Sequence, residues 1–270
     1  MKFSSAEDAQ RFAFDAIGTD FLTKALHRNR CIVDARFDKA WRSLRAGDPI
    51  LTGPTQLQGP VSRPRDFSWE LLLASLVATF ATNVRMAEPD VVCEFQGKRV
   101  GLAAKVFYGS NDGQLLDKIQ EGARQIQNQN VDQGFVVVNM VEQFPHERLF
   151  NVIREAGIAE AKVIFELVSG WVDAFLVAHP VPFWEQHLRG MSKLMSVMMF
   201  VPTILPLAGM PMPLPYYRIH TFGLIGREDE ALLFEQALQL ACEEVPAFYL
   251  PPPVESGDVA CRIPRFRTNI

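Results

Sequence analysis

Apolar side chains recur three or four positions apart, among charges, in three stretches near the start of the chain: "SAEDAQRFAFDAIG", "DFLTKALHRNR" and "VDARFDKAWRSLRAG". That period puts them on one helical face, so residues 1–47 are predicted to form a helical lead-in. Residues 48–66 hold four prolines and two glycines, which predicts a loop. The following "WELLLASLVATFA" is apolar on nearly every side, as a buried helix is, and Ser68 is placed to cap it.

The pattern then shortens. In "EPDVVCEFQGKRVGLAAKVF", residues 88–107, two apolar runs flank Gln96-Gly97, which predicts a hairpin with a two-residue turn. Such a turn sets Phe95 against Lys98 and Glu94 against Arg99. Counting back, Asp90 faces Ala103 and Glu88 faces Lys105. Because strand side chains alternate, Asp90, Ala103 and Lys105 project from one side.

Past the turn "GSNDG", the segment "QLLDKIQEGARQIQNQ" returns to helical spacing. Its apolar stripe is Leu116, Ile119, Ala123 and Ile126, and a polar line of Gln114, Lys118, Glu121, Gln125 and Gln129 runs opposite. "GFVVVNM" reads as a buried strand and "PHERLFNVIREAG" as a helix ended by Gly157. This order predicts an α/β fold, a central mixed β-sheet flanked by helices, with its core over residues 66–180. Residues 181–270 are predicted to be a C-terminal α/β extension packed on that core. Near the join, "KVIFELVSGWVDAFLVA" fits strand or helix. "PFWEQHLRGMSKLMSVMMF" and "REDEALLFEQALQLACEE" are predicted helices.

Composition narrows the function classes. The chain has 270 residues, 48% of them hydrophobic, enough for a sizeable core. Cysteines at 31, 93, 242 and 261 have neither CxxC pairing nor zinc spacing, and no secretory leader precedes them, so a reduced, cytoplasmic setting is expected. The longest apolar stretches are too short or too broken by proline to span a bilayer, and no membrane association is expected. A net charge of −4 argues against a broad basic surface for nucleic acid but leaves room for a small basic cleft. The five histidines lack HxxxH spacing, and no GxxxxGK[ST] loop is present.

An acid and a lysine at one sheet edge suit phosphodiester hydrolysis. Carboxylates hold a hard divalent ion, and the lysine orients water or stabilises developing charge. Pro89-Asp90, twelve intervening residues and then Ala103-Ala104-Lys105 resembles the signature of the PD-(D/E)XK nuclease superfamily. The resemblance covers about residues 66–140 and implies a restriction endonuclease-like core. It further implies Asp90 as a catalytic metal ligand, Lys105 as the catalytic or phosphate-contacting base, Glu70 from the preceding helix as an auxiliary catalytic metal ligand, and Lys118 and Gln125 facing DNA. The implied cofactor is Mg2+ or Mn2+ and the implied activity that of a (deoxyribo)nuclease, with DNA or RNA as substrate left open.

The sequence departs from the family at one position, for the acid two residues before the lysine is Ala103. Hydrolysis is therefore expected to be weak or lost unless another carboxylate compensates. Glu70 is the favoured substitute and Glu88 the second, while Glu94 lies roughly 13 Å along the strand, too far to share one ion. The alternative is a catalytically inactive nuclease-fold module that acts on a protein partner in interaction or regulation. Each residue also has an ordinary role: Asp90 and Lys105 as strand-end groups, Glu70 as a first-turn acid favoured by the helix dipole, and the Gln/Lys face as a solvated surface.

Overall fold

The computed structural model describes residues 63–109, 111–146, 161–205, 214–223 and 228–243, with helical positions at 16–20, 24, 39, 42, 148, 149 and 151. In chain order the elements are α1 (Arg63–Val77), β1 (Thr82–Arg85), β2 (Val91–Phe95), β3 (Lys98–Val106), α2 (Asp112–Asn128), β4 (Gln133–Asn139), α3 (Ala161–Ala178), α4 (Val181–Leu188), β5 (Leu194–Leu205), β6 (Leu214–Gly223) and α5 (Glu228–Glu243). Six strands form one open sheet in sequence order. The β3/β4 and β4/β5 pairs are parallel and the other three antiparallel. The α/β class and the central mixed sheet flanked by helices follow directly.

The hairpin register is the one its turn predicts: Phe95 pairs with Lys98 and Glu94 with Arg99, ending at Val91 with Leu102. Gln96 and Gly97 both take positive φ, 50° and 74°, the geometry whose twist matches a two-residue hairpin. Glu88, expected opposite Lys105, is instead exposed in the turn that precedes β2.

Alternation sorts the helices onto two faces. Ala103 pairs with Val136, and both look toward Gly122 of α2. Gln120 of α2 reaches the His187 carbonyl of α4, and Phe165 of α3 meets Tyr216 edge-on at 4.8 Å, so α3 and α4 share that side. On the other side Trp69 of α1 lies 4.6 Å from Phe200. There too Phe234 of α5 stacks on Phe135 and meets Phe80 and Phe95 edge-on. Aromatic area and edge-to-face geometry make this cluster a main anchor of α5.

Several boundaries differ from the sequence pattern. α1 begins at Arg63, inside the predicted loop, because Pro64 is compatible with a first helical turn and Asp66 supplies that turn's acid. Ser68 is therefore a buried interior residue rather than a cap, and Glu70 lies well past the first turn. The predicted helix "PFWEQHLRGMSKLMSVMMF" is α4 followed by strand β5. Gly190 at φ 90° follows the helix, and β5 is apolar on both faces because it lies between β4 and β6 with helices packed over the sheet on each side, a pattern that periodicity cannot tell from a buried helix. β1 and β6 have no counterpart in the predicted elements. The ambiguous "KVIFELVSGWVDAFLVA" is helix α3. The helical lead-in and the helix ended by Gly157 lie largely outside the described residues. Among the described residues no single helix is long and apolar enough to cross a membrane, although the bent pair 162–178 and 182–188 together has the length and composition.

Candidate functional site

The site forms where β2 and β3 meet under α2. Asp90 stands one residue before β2, and its Oδ2 accepts a hydrogen bond from the Ala104 backbone N–H at 2.9 Å. The carboxylate thus extends the hairpin's hydrogen bonding past its last paired residue and is buried in doing so. Lys105, on the adjacent strand, brings its Nζ to 3.9 Å from the same oxygen. The predicted convergence of Asp90 and Lys105 is therefore present. A second acid completes the arrangement, since Lys105 Nζ donates to Glu121 Oε1 at 3.2 Å and Lys118 Nζ donates to Glu121 Oε2 at 3.1 Å.

The face of α2 toward the sheet explains why position 103 carries only a methyl group. Ala103 is wholly buried, and a Cβ placed on Gly122 would stand 3.1 Å from the Ala103 Cβ and 3.0 Å from a Val136 methyl. The helix backbone itself fills the volume that a longer side chain at 103 would need. α2 runs antiparallel to β3, so the residue just before Gly122 meets the strand residue two beyond Ala103. Glu121 thereby delivers a carboxylate to Lys105 from the helix.

A third acid looks onto the same end of the sheet. Tyr108, just past β3, donates its hydroxyl to Asp66 Oδ1 at 3.3 Å. Burial pushes the Asp66 carboxyl above its ordinary range, against the opposing pull of the Tyr108 hydrogen bond and of Lys118 and Lys105. Partial burial would raise Glu121 too, but Lys105 and Lys118 outweigh it and hold that carboxyl below the ordinary range.

The remaining expected residues fall as follows. Glu70 is buried in α1, one turn beyond Asp66 and on the same helical face. Lys118 is half-exposed and paired with Glu121. Gln125 is only partly exposed, and its Oε1 is sealed from solvent without a hydrogen-bond partner, so it is less of an outward contact than the expected polar line suggests. The buried stripe of α2 is Leu115, Ile119, Gly122, Ala123 and Ile126, with Leu116 only partly covered. Glu121 stood on the polar line in the sequence without being singled out, though its i,i+3 spacing from Lys118 was visible. Asp66 was hidden in the supposed loop, and nothing local marks Tyr108.

Among the described residues no three acidic, histidine or cysteine side chains are grouped so as to hold a metal ion, so the expected Asp90 and Glu70 ligands do not form part of such a group. The ammonium of Lys105 is itself the cation between Asp90 and Glu121. Comparison with protein-family models, with curated proteins and with solved structures gives no match.

Proposed function

We propose that this chain is a nuclease-fold module of the PD-(D/E)XK type that engages nucleic acid without hydrolysing it. The succession of helix, hairpin, helix and parallel strand from α1 to β4 supports that fold type, as does the meeting of Asp90 with Lys105 at the hairpin's open end. One observation carries the loss of hydrolysis: Gly122 of α2 packs onto Ala103, closing the place of the acid that would share a metal with Asp90. What remains is a pair of lysines at the rim of α2, able to contact phosphate oxygens, with Lys105 fixed by Asp90 and Lys118 reaching solvent.

Incubation with plasmid and with single-stranded DNA in Mg2+ or Mn2+ is expected to give no nicking above that of Lys105→Ala. Fluorescence anisotropy with labelled oligonucleotides is expected to show binding that weakens as salt rises, because phosphate contacts release counterions. Metal-dependent nicking that disappears in Asp90→Ala would restore the enzyme. Absence of oligonucleotide binding at low salt would favour a module for a protein partner. The excess of Asp66, Asp90 and Glu121 over Lys105 and Lys118 and the net charge of −4 suit that second reading.

A further inference from the structure

Glu121 makes a contact of unusual form for a helix-surface acid. Its two oxygens go to two different ammonium groups, Lys105 Nζ at 3.2 Å and Lys118 Nζ at 3.1 Å. One of these lysines is fixed: the Lys105 side chain is 9% exposed and has Asp90 3.9 Å behind it. The other side is open, with Lys118 and Glu121 both close to half exposed. We propose that Lys105 and Lys118 form a phosphodiester subsite whose place the Glu121 carboxylate holds, so that Glu121 competes with the phosphate of a nucleic acid.

The chemistry of the exchange is direct. A phosphodiester presents two non-bridging oxygens that share one negative charge, as a carboxylate does, and so can take the same two ammonium groups. The half-exposed Glu121–Lys118 pair contributes little net stability, and Lys105 keeps Asp90 when Glu121 rotates into solvent. Once it leaves, Lys105 still has Asp90 at 3.9 Å, and the half-exposed Lys118 loses its Glu121 partner and can turn to a phosphate. Asp66, hydrogen-bonded by Tyr108, also acts on both lysines and competes with the ligand for them. Lys105 gives the subsite its fixed point, and Lys118 closes over the ligand. The inference rests on the nucleic-acid reading above and adds that the internal acid sets its affinity.

The test compares wild type, Glu121→Gln and Glu121→Gln with Lys118→Gln. Both positions are half-exposed, so the fold should be retained, which circular dichroism checks. Oligonucleotide binding is read by anisotropy and pyrophosphate binding by calorimetry. Glu121→Gln is expected to tighten oligonucleotide binding about fivefold, the equivalent of one exposed ion pair, and the added Lys118→Gln to cancel that gain. Equal or weaker binding by Glu121→Gln would overturn the competition and leave the nucleic-acid reading in place. Tighter pyrophosphate binding by Glu121→Gln without oligonucleotide binding would keep the subsite and end the nucleic-acid reading. No binding of either probe to any of the three proteins would end both.

Discussion

At the scale of single residues, the site is governed by how three carboxylates divide two lysines. Asp90 is tied to a backbone N–H and Glu121 to both ammonium groups, whereas Asp66 has the Tyr108 hydroxyl and a largely buried position. Its folded pKa is raised above the unfolded value of 3.8, chiefly by burial. A raised carboxyl binds its proton more tightly in the folded state, so its contribution is fully present below pH 3.8 and is lost as pH rises through the folded value. Asp66→Asn keeps an oxygen for Tyr108 and removes that titration. The stability difference between Asp66→Asn and wild type, followed by urea unfolding at a series of pH values, is therefore expected to grow in favour of the variant as pH rises from 3.8. A difference that stays constant with pH would show that Asp66 ionises as freely in the fold as outside it. The Asp90 and Lys105 pairing was legible in the sequence because hairpin parity is local. The partners Glu121 and Tyr108 were not, because the first depends on how closely α2 packs and the second on where α1 begins.

At the scale of elements, the decisive contact is α2 on β3. A glycine inside an exposed helix ordinarily costs about 1 kcal/mol relative to alanine. Gly122 is retained in a 17-residue helix where the sheet comes within 3.1 Å of any added Cβ. Gly122→Ala is thus expected to gain nothing or to destabilise, against its helix propensity. Ala103→Glu is the stronger test: it buries a carboxylate under the helix and is expected to cost about 3 kcal/mol or more in urea unfolding. An Ala103→Glu protein as stable as wild type would mean that α2 can lift from the strand, and that the lost acid could be restored without hindrance. The element pattern also shows where periodicity stops being informative. α1 and α2 are the helices that their patterns predict, whereas β5 is apolar on both faces and carries no period that separates it from a buried helix.

At the scale of the whole molecule, a buried polar triad joins the helical residues near the start of the chain to the last strand. Lys24 Nζ donates to Asp20 Oδ2 at 2.7 Å, the Tyr217 hydroxyl donates to the same oxygen, and the ammonium lies 4.3 Å above the Tyr217 ring. Both charged side chains are nearly or fully buried, so removing one partner leaves the other desolvated and uncompensated. Lys24→Met is expected to cost about 3–5 kcal/mol, and pairing it with Asp20→Asn to recover a good part of that loss. Additive losses in the double variant, measured by urea unfolding, would show that the two groups do not depend on each other.

The sequence by itself determined the hairpin, its register and the side of the sheet shared by Asp90, Ala103 and Lys105, because each follows from backbone alternation and turn chemistry within a few residues, and it determined the α/β class through the order of its helical and extended segments. Only the tertiary structure decided that Ala103 is sealed by Gly122 and that Glu121 is the acid on Lys105. It also decided that β5 and β6 join the same sheet. These are matters of how close two surfaces come and which strand lies beside which. Contacts between residues far apart in the chain fix them, through packing volume and burial that no local pattern encodes.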